Sequence, residues 1–170
     1  SADKHKPFIT HIPFVYDAQT ERLVAHIDKN NPQVEMLKDG TEVTVVFRGP
    51  DTYISPSVYT TTQLPTWNYI IVHLTGRIKL INDVEDVKQS LVRMTAFLEG
   101  KTQSYRLDPD NKRMDALVNY IQAFAIEITQ WEGKFKLSQD KNTQDQHNAK
   151  EALKNHAKLN RDTFIEGMYE

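Results

Sequence analysis

The sequence predicts an α+β protein built on an antiparallel sheet or small barrel, and three observations carry that reading. Segments Phe8 to Tyr16, Arg22 to Ile27, Thr41 to Phe47 and Tyr69 to Ile81 alternate apolar and polar residues like half-buried strands. Apolar residues then recur at helical spacing from Val84 to Leu98 and from Met114 to Trp131. Alternation returns at Lys134 to Gln139, so the order is strands, helix, helix, strand, helix. At 170 residues and 39% apolar content, the length suits one domain with a core of its own.

The first two strands read as a hairpin turning through Asp17 to Glu21. Pairing centred on Ala18 and Gln19 sets Phe14 against Leu23 and Ile12 against Ala25, with His11 opposite His26 on the other face; a slip of one residue would oppose apolar and polar side chains. Asn30-Asn31-Pro32 breaks the chain, and Asp39-Gly40 turns it into the third strand. The long strand from Tyr69 carries Ile70, Val72, Leu74, Ile78 and Leu80 on one face and His73, Thr75, Arg77 and Lys79 on the other. Gly76 at its middle predicts a bulge or bend. Asn82 and Glu85 have capping-box spacing before the first helix, which Gly100 ends. The second helix follows Asp108-Pro109 and runs to Gly133, and a weakly amphipathic helix is expected around Ala149 to Leu159, on the surface or against a partner subunit.

Between two strands lies the most unusual segment, Phe47 to Tyr69. It combines three X-Pro breaks with Tyr53, Tyr59, Trp67 and Tyr69 and with the polar groups of Ser55, Ser57, Thr66 and Asn68. Long ordered loops of this kind cover or line binding sites. Stacking on a flat ligand and packing across a dimer interface are both open to it.

Composition narrows the chemistry. Without cysteine there is no disulfide framework, thiolate catalysis or Cys-ligated metal. A net charge of −2 predicts no large basic field, so direct nucleic-acid binding would need a local patch. The sequence contains no apolar run of membrane-spanning length and no signal-peptide pattern, from which a cytoplasmic protein is expected. Gly-rich phosphate loops, GxSxG elbows, HxxxH and HExxH are absent, and no linear signature pairs a nucleophile with a base.

Two constellations remain. His11, His26 and His73 could meet a metal, a haem or the polar edge of a cofactor, or serve the structure alone. Lys134, Lys136 and Ser138 project to one side of a strand and suit an anion, with Gln139 adjacent, although lysines also guard exposed strand edges against aggregation.

The runs ITHIPFVYD (Ile9 to Asp17), AHIDKNNPQ (Ala25 to Gln33), VVFRGPDTYISPSVY (Val45 to Tyr59), LPTWNYIIVHLTGRIKLIND (Leu64 to Asp83) and GKFKLSQDK (Gly133 to Lys141) resemble the PaiB family in order and content. That family is described as FMN-binding proteins and negative transcriptional regulators. The resemblance implies a split β-barrel with two flanking helices and a C-terminal surface helix, and a homodimer holding FMN between subunits. Asp51, Val58 and Asp140 stand where the family pattern carries histidine, tryptophan and asparagine. Family members open with a further helix and strand, so the chain is expected to be a single such domain lacking its natural N-terminus.

Together the resemblance and the spacing assign cofactor contacts to Thr10, His11 and His26, to Ser55, Ser57, Thr66, Trp67 and Asn68, and to Lys134, Lys136, Ser138 and Gln139. The ligand is FMN or a similar phosphorylated, planar molecule. Two alternatives stand beside a binding and regulatory role: a flavin-dependent oxidoreductase using a reduced nicotinamide, and a haem protein with His11, His26 or His73 as axial ligand.

Overall fold

The computed structural model describes residues 2–3, 6–102 and 104–169; Ser1, where the chain opens, lies outside them. Seven strands and three α-helices follow one another: β1 Ala2–Asp3, β2 Lys6–Pro7, β3 Val15–Asp17, β4 Arg22–Asp28, β5 Glu42–Ile54, β6 Thr66–Ile81, α1 Val84–Glu99, α2 Lys112–Leu117, β7 Ile121–Lys136 and α3 Thr143–Tyr169. β1 and β2 form a small ladder of their own, and the main sheet has the order β3-β4-β7-β6-β5. This sheet is open, with β3 and β5 as its outer strands.

The hairpin forms and turns through residues 18–21. Val15 pairs with Val24, Tyr16 with Leu23 and Asp17 with Arg22, a register displaced by two residues from the predicted one. A shift of two keeps every side chain on its face, but it removes His11 from His26, which faces Ala123 of β7 instead. Turn chemistry set this register: Asp17 Oδ1 accepts from Gln19 N at 3.0 Å and its Oδ2 from the Thr20 hydroxyl at 3.0 Å. Glu21 closes the turn at φ 54°. Residues 8–14 are not strand. Pro13 interrupts them, and Phe8 and Thr10 bond to the side chains of Gln33 and Asn31 rather than to a neighbouring strand.

The largest correction concerns residues 121–136. The helix predicted over Met114 to Trp131 stops at Leu117, where α2 ends, and the chain enters β7 at Ile121. Of the short closing strand predicted at Lys134 to Gln139 only Lys134 to Lys136 belong to β7, so Ser138 does not project from the strand beside the lysines. Ala123, Phe124, Ala125 and Ile126 are consecutively buried, so both faces of β7 are covered there. A continuous apolar run of this kind cannot be told from a buried helix by its period, and only the strand conformation lets it pair with β4 from Arg22↔Glu127 to Asp28↔Ile121.

Other elements shift less. β5 continues through Gly49-Pro50 to Ile54 and β6 starts at Thr66, which shortens the supposed loop to residues 55–65. Proline lacks an N–H and is tolerated on an outer strand such as β5. Asp83, not Asn82, caps α1, accepting from Asp86 N at 3.1 Å, and Gly100 ends it at φ 65°. α3 is 27 residues long and lies on the surface as an amphipathic helix that buries Ala149 and Leu153.

The chain divides into two compact units, Ser1–Thr44 with Leu74–Gln130, and Val45–His73 with Trp131–Glu170. In the first, Val87 of α1, Met114 of α2, Val118 and Ala123 form a core flanked by Leu91, Leu107 and Ile121. Burial of such side chains contributes about 1.5–3 kcal/mol each. The second unit holds the 55–65 connection and α3.

Candidate functional site

In the second unit the 55–65 connection is clasped by α3. Asp145, in the first turn of α3, is fully buried. It accepts from Thr60 N at 2.6 Å, the Thr60 hydroxyl at 2.8 Å, the Thr61 hydroxyl at 2.7 Å and Asn142 Nδ2 at 3.0 Å. Asn142 Oδ1 in return accepts from Asp145 N at 2.9 Å, the bond of an N-cap residue at the start of α3. Asn148 adds a bond to the Val58 carbonyl at 2.8 Å. Burial pushes the Asp145 carboxyl up, but its donors, the Thr60 N–H foremost, outweigh this and hold it below the usual carboxylate range.

Beside this clasp, Ser138, Asn68 and Tyr59 form a second node. Ser138 has φ 62° and is buried. Its hydroxyl lies 3.1 Å from Asn68 Nδ2 and 2.8 Å from the Tyr59 hydroxyl. Asn68 is 1% exposed. These groups satisfy one another and so set the loop before any ligand arrives. Ser55 caps the turn at Pro56–Val58, accepting from Ser57 N at 3.2 Å, and its hydroxyl also bonds that of Ser57 at 2.8 Å. Thr66 opens β6. Gln139 bonds inward to the Leu137 N–H and the Phe135 carbonyl.

Trp67, Lys134 and Lys136 face outward, as do Ser57 and Gln139 of the same unit and His11 of the other. The Trp67 ring is half exposed and its Nε1 donates to Asp51 Oδ1 at 3.2 Å, while Arg48 holds the other oxygen of Asp51. The aspartate that departs from the family pattern thus orients the aromatic. Lys134 and Lys136 are exposed, and neither is in an ion pair among the described residues.

Thr10, His11 and His26 belong to the first unit. Thr10 accepts from Asn31 Nδ2 at 3.3 Å and His11 is exposed. His26 Nε2 lies 2.7 Å from the Ser90 hydroxyl, whose hydrogen goes to the Val87 carbonyl at 2.7 Å. Nε2 is therefore the donor, and Nδ1 is a buried acceptor with no partner among the described residues. Desolvation lowers the His26 pKa to about 4. Unfolded His26 takes a proton near pH 6.5 while the folded residue resists until about 4, so stability falls as pH drops through that interval. The expected loss is about 2 kcal/mol after allowance for partial solvation, and H26N flattens the profile in urea titrations between these pH values. A wild-type profile with no slope there would overturn the assignment.

Sequence reasoning missed Asp145, Thr60, Thr61, Asn142 and Ser90. The Asn142-x-x-Asp145 spacing carried a legible cap signal; the threonines and Ser90 carried none, because their partners are 64 to 85 residues away. No cluster of metal-ligating side chains occurs among the described residues.

An open antiparallel sheet flanked by helices on a split-barrel plan places the protein among α+β split-barrel domains. Residues 1–130 match the family model described as "Putative FMN-binding domain", and the chain belongs to that family, with PaiB as a curated relative. It is 29% identical to the protease synthase and sporulation protein PAI 2 of Bacillus subtilis over 171 residues, covering 99% of this chain and 83% of the relative. Its fold is similar to the FAD and heme binding protein of Mycobacterium smegmatis, with TM-score 0.59, 18% identity and coverage of 87% and 68% of the two chains. The flavocytochrome Anf3 of Azotobacter vinelandii gives 0.55, 21%, 85% and 63%. The clasp residue Asp145 and the lysine pair lie beyond the matched stretch 1–130.

Proposed function

We propose that the protein binds FMN as a homodimer and acts in regulation through this ligand or a partner protein. The observation that carries the reading is the outward chemistry of the second unit, where two lysines with no ion pair among the described residues share a strand with exposed aromatics. Lys134 and Lys136 stand at alternate positions of β7, and Trp131 and Phe135 on the same strand are 70% and 51% exposed. Two point charges on one side fit a phosphate, and the half-exposed Trp67, held by Asp51, fits a flat ring. Ser57 and Thr66 supply hydroxyls at the rim, while Asn68, Ser138 and Gln139 position the loop. When bound, the flavin supplies any redox chemistry.

Support for the dimer comes from β7, whose ladder with β4 ends at Glu127 while the strand runs on to Lys136. An exposed edge with aromatic side chains favours association. The net charge of −2 favours regulation without direct DNA contact.

The test loads the purified protein with FMN, desalts it and reads visible absorbance across size exclusion with light scattering. A retained flavin band on a dimer is expected, with FMN bound more tightly than riboflavin. K134E/K136E should erase that preference, weakening FMN by about tenfold or more. No retained chromophore and no flavin quenching would sink the cofactor; a fully loaded monomer would sink the interface. Steady oxidation of a reduced nicotinamide by the loaded protein would replace binding with catalysis, and sequence-specific retardation of DNA would replace indirect regulation with direct contact.

A further inference from the structure

In the first unit, the β3–β4 hairpin and α1 line an open cleft of about 310 Å³ that the flavin reading does not use. Its apolar wall comes from Val15 and Val24 of the hairpin and Met94 of α1. Its polar wall includes Asp17, Ser90 and Arg93. The size is at the small end of ligand pockets.

The charges on this wall are complementary but not joined. Asp17 and Arg93 interact through space, yet no ion pair links them among the described residues, and Arg93 has no other carboxylate partner there. The Gln19 N–H is the main group holding the Asp17 carboxyl below its usual range, which keeps it ionised. The Gln19 and Thr20 N–H groups and the Thr20 hydroxyl take part of its acceptor capacity and leave the rest for a donor. Ser90 gives its hydrogen to Val87 and receives one from His26, so its oxygen offers an acceptor on the wall.

We propose that this cleft binds a compact zwitterion with an apolar body, of the class of the apolar α-amino acids. The ligand's carboxylate meets Arg93, its ammonium meets Asp17, and its side chain lies on Val15, Val24 and Met94. A simple anion would leave Asp17 facing its charge, and a simple cation would face Arg93; only a ligand carrying both signs satisfies the two.

Leucine, 4-methylpentanoate and isoamylamine share this apolar body and differ in their charges. Calorimetric titration of the full chain with each is expected to show leucine binding at least about tenfold more tightly than either analogue. R93Q and D17N should each lose this preference, and M94W should abolish binding by filling the cleft, with far-ultraviolet circular dichroism and FMN uptake unchanged. Absence of leucine binding, equal binding of a singly charged analogue, or wild-type affinity in both R93Q and D17N would overturn the proposal. FMN uptake is read separately, so its failure leaves this site unaffected.

Discussion

D145A is expected to lower the melting temperature by about 5–10 °C, read by circular dichroism, with D145N intermediate. Removing the carboxylate strands four donors at once: the Thr60 N–H, the Thr60 and Thr61 hydroxyls and the Asn142 amide. A buried donor left without an acceptor loses its solvation with no return, which makes this costlier than trimming an exposed bond. Asparagine keeps one acceptor for Thr60 but turns an amide toward the donors that used the second oxygen. The effect should concentrate in residues 55–65 and the start of α3, so hydrogen exchange there rises first. Because the folded carboxyl sits below the ordinary aspartate value of 3.8, the clasp is intact above that value and is lost as pH falls through the depressed folded one. A melting temperature for D145A within a degree or so of wild type would refute the clasp.

The second large effect is at Gly76. A Cβ at this position would lie 2.5 Å from the Glu127 carbonyl oxygen and closer still to Ile126 Cγ2. One obstacle is backbone, and the other belongs to a side chain only 2% exposed, so neither moves freely. Forcing β6 and β7 apart should cost G76A about 2–3 kcal/mol, and G76V more, in urea unfolding. G40A is a useful contrast. Gly40 meets nothing within 4 Å and its φ of 80° makes the cost one of backbone strain alone. Equal stability of G76A and wild type would mean that the two strands do not approach this closely.

Both effects bear on how far the sequence could be read. Gly76 was recognisable as a break in the alternation of β6, but the sequence offered a bulge or bend where the structure has a close strand crossing. The difference lies in β7, whose strand state was hidden because Ala123 to Ile126 is apolar on both faces. Periodicity describes an element with one wet face, and this one has none where it crosses β4 and β6. Asp145 was harder still. The cap to Asn142 is local, but the threonines that make it a clasp are distant in sequence, and nothing in a Thr-Thr-Thr run names its acceptor.

The PaiB resemblance and the split-barrel class it implies, α1 with its glycine stop and the alternating faces of β6 were determined by the sequence alone, because each rests on local spacing or on motifs kept in order along the chain. Tertiary structure decided the rest. It moved the hairpin by two residues through the Asp17 turn and separated His11 from His26. It turned Asn68 and Ser138 inward upon each other, and left Trp67, Lys134 and Lys136 facing out. Which polar side chains remain available to a ligand depends on which have already been satisfied by partners far along the chain, and that accounting exists only once the chain is folded.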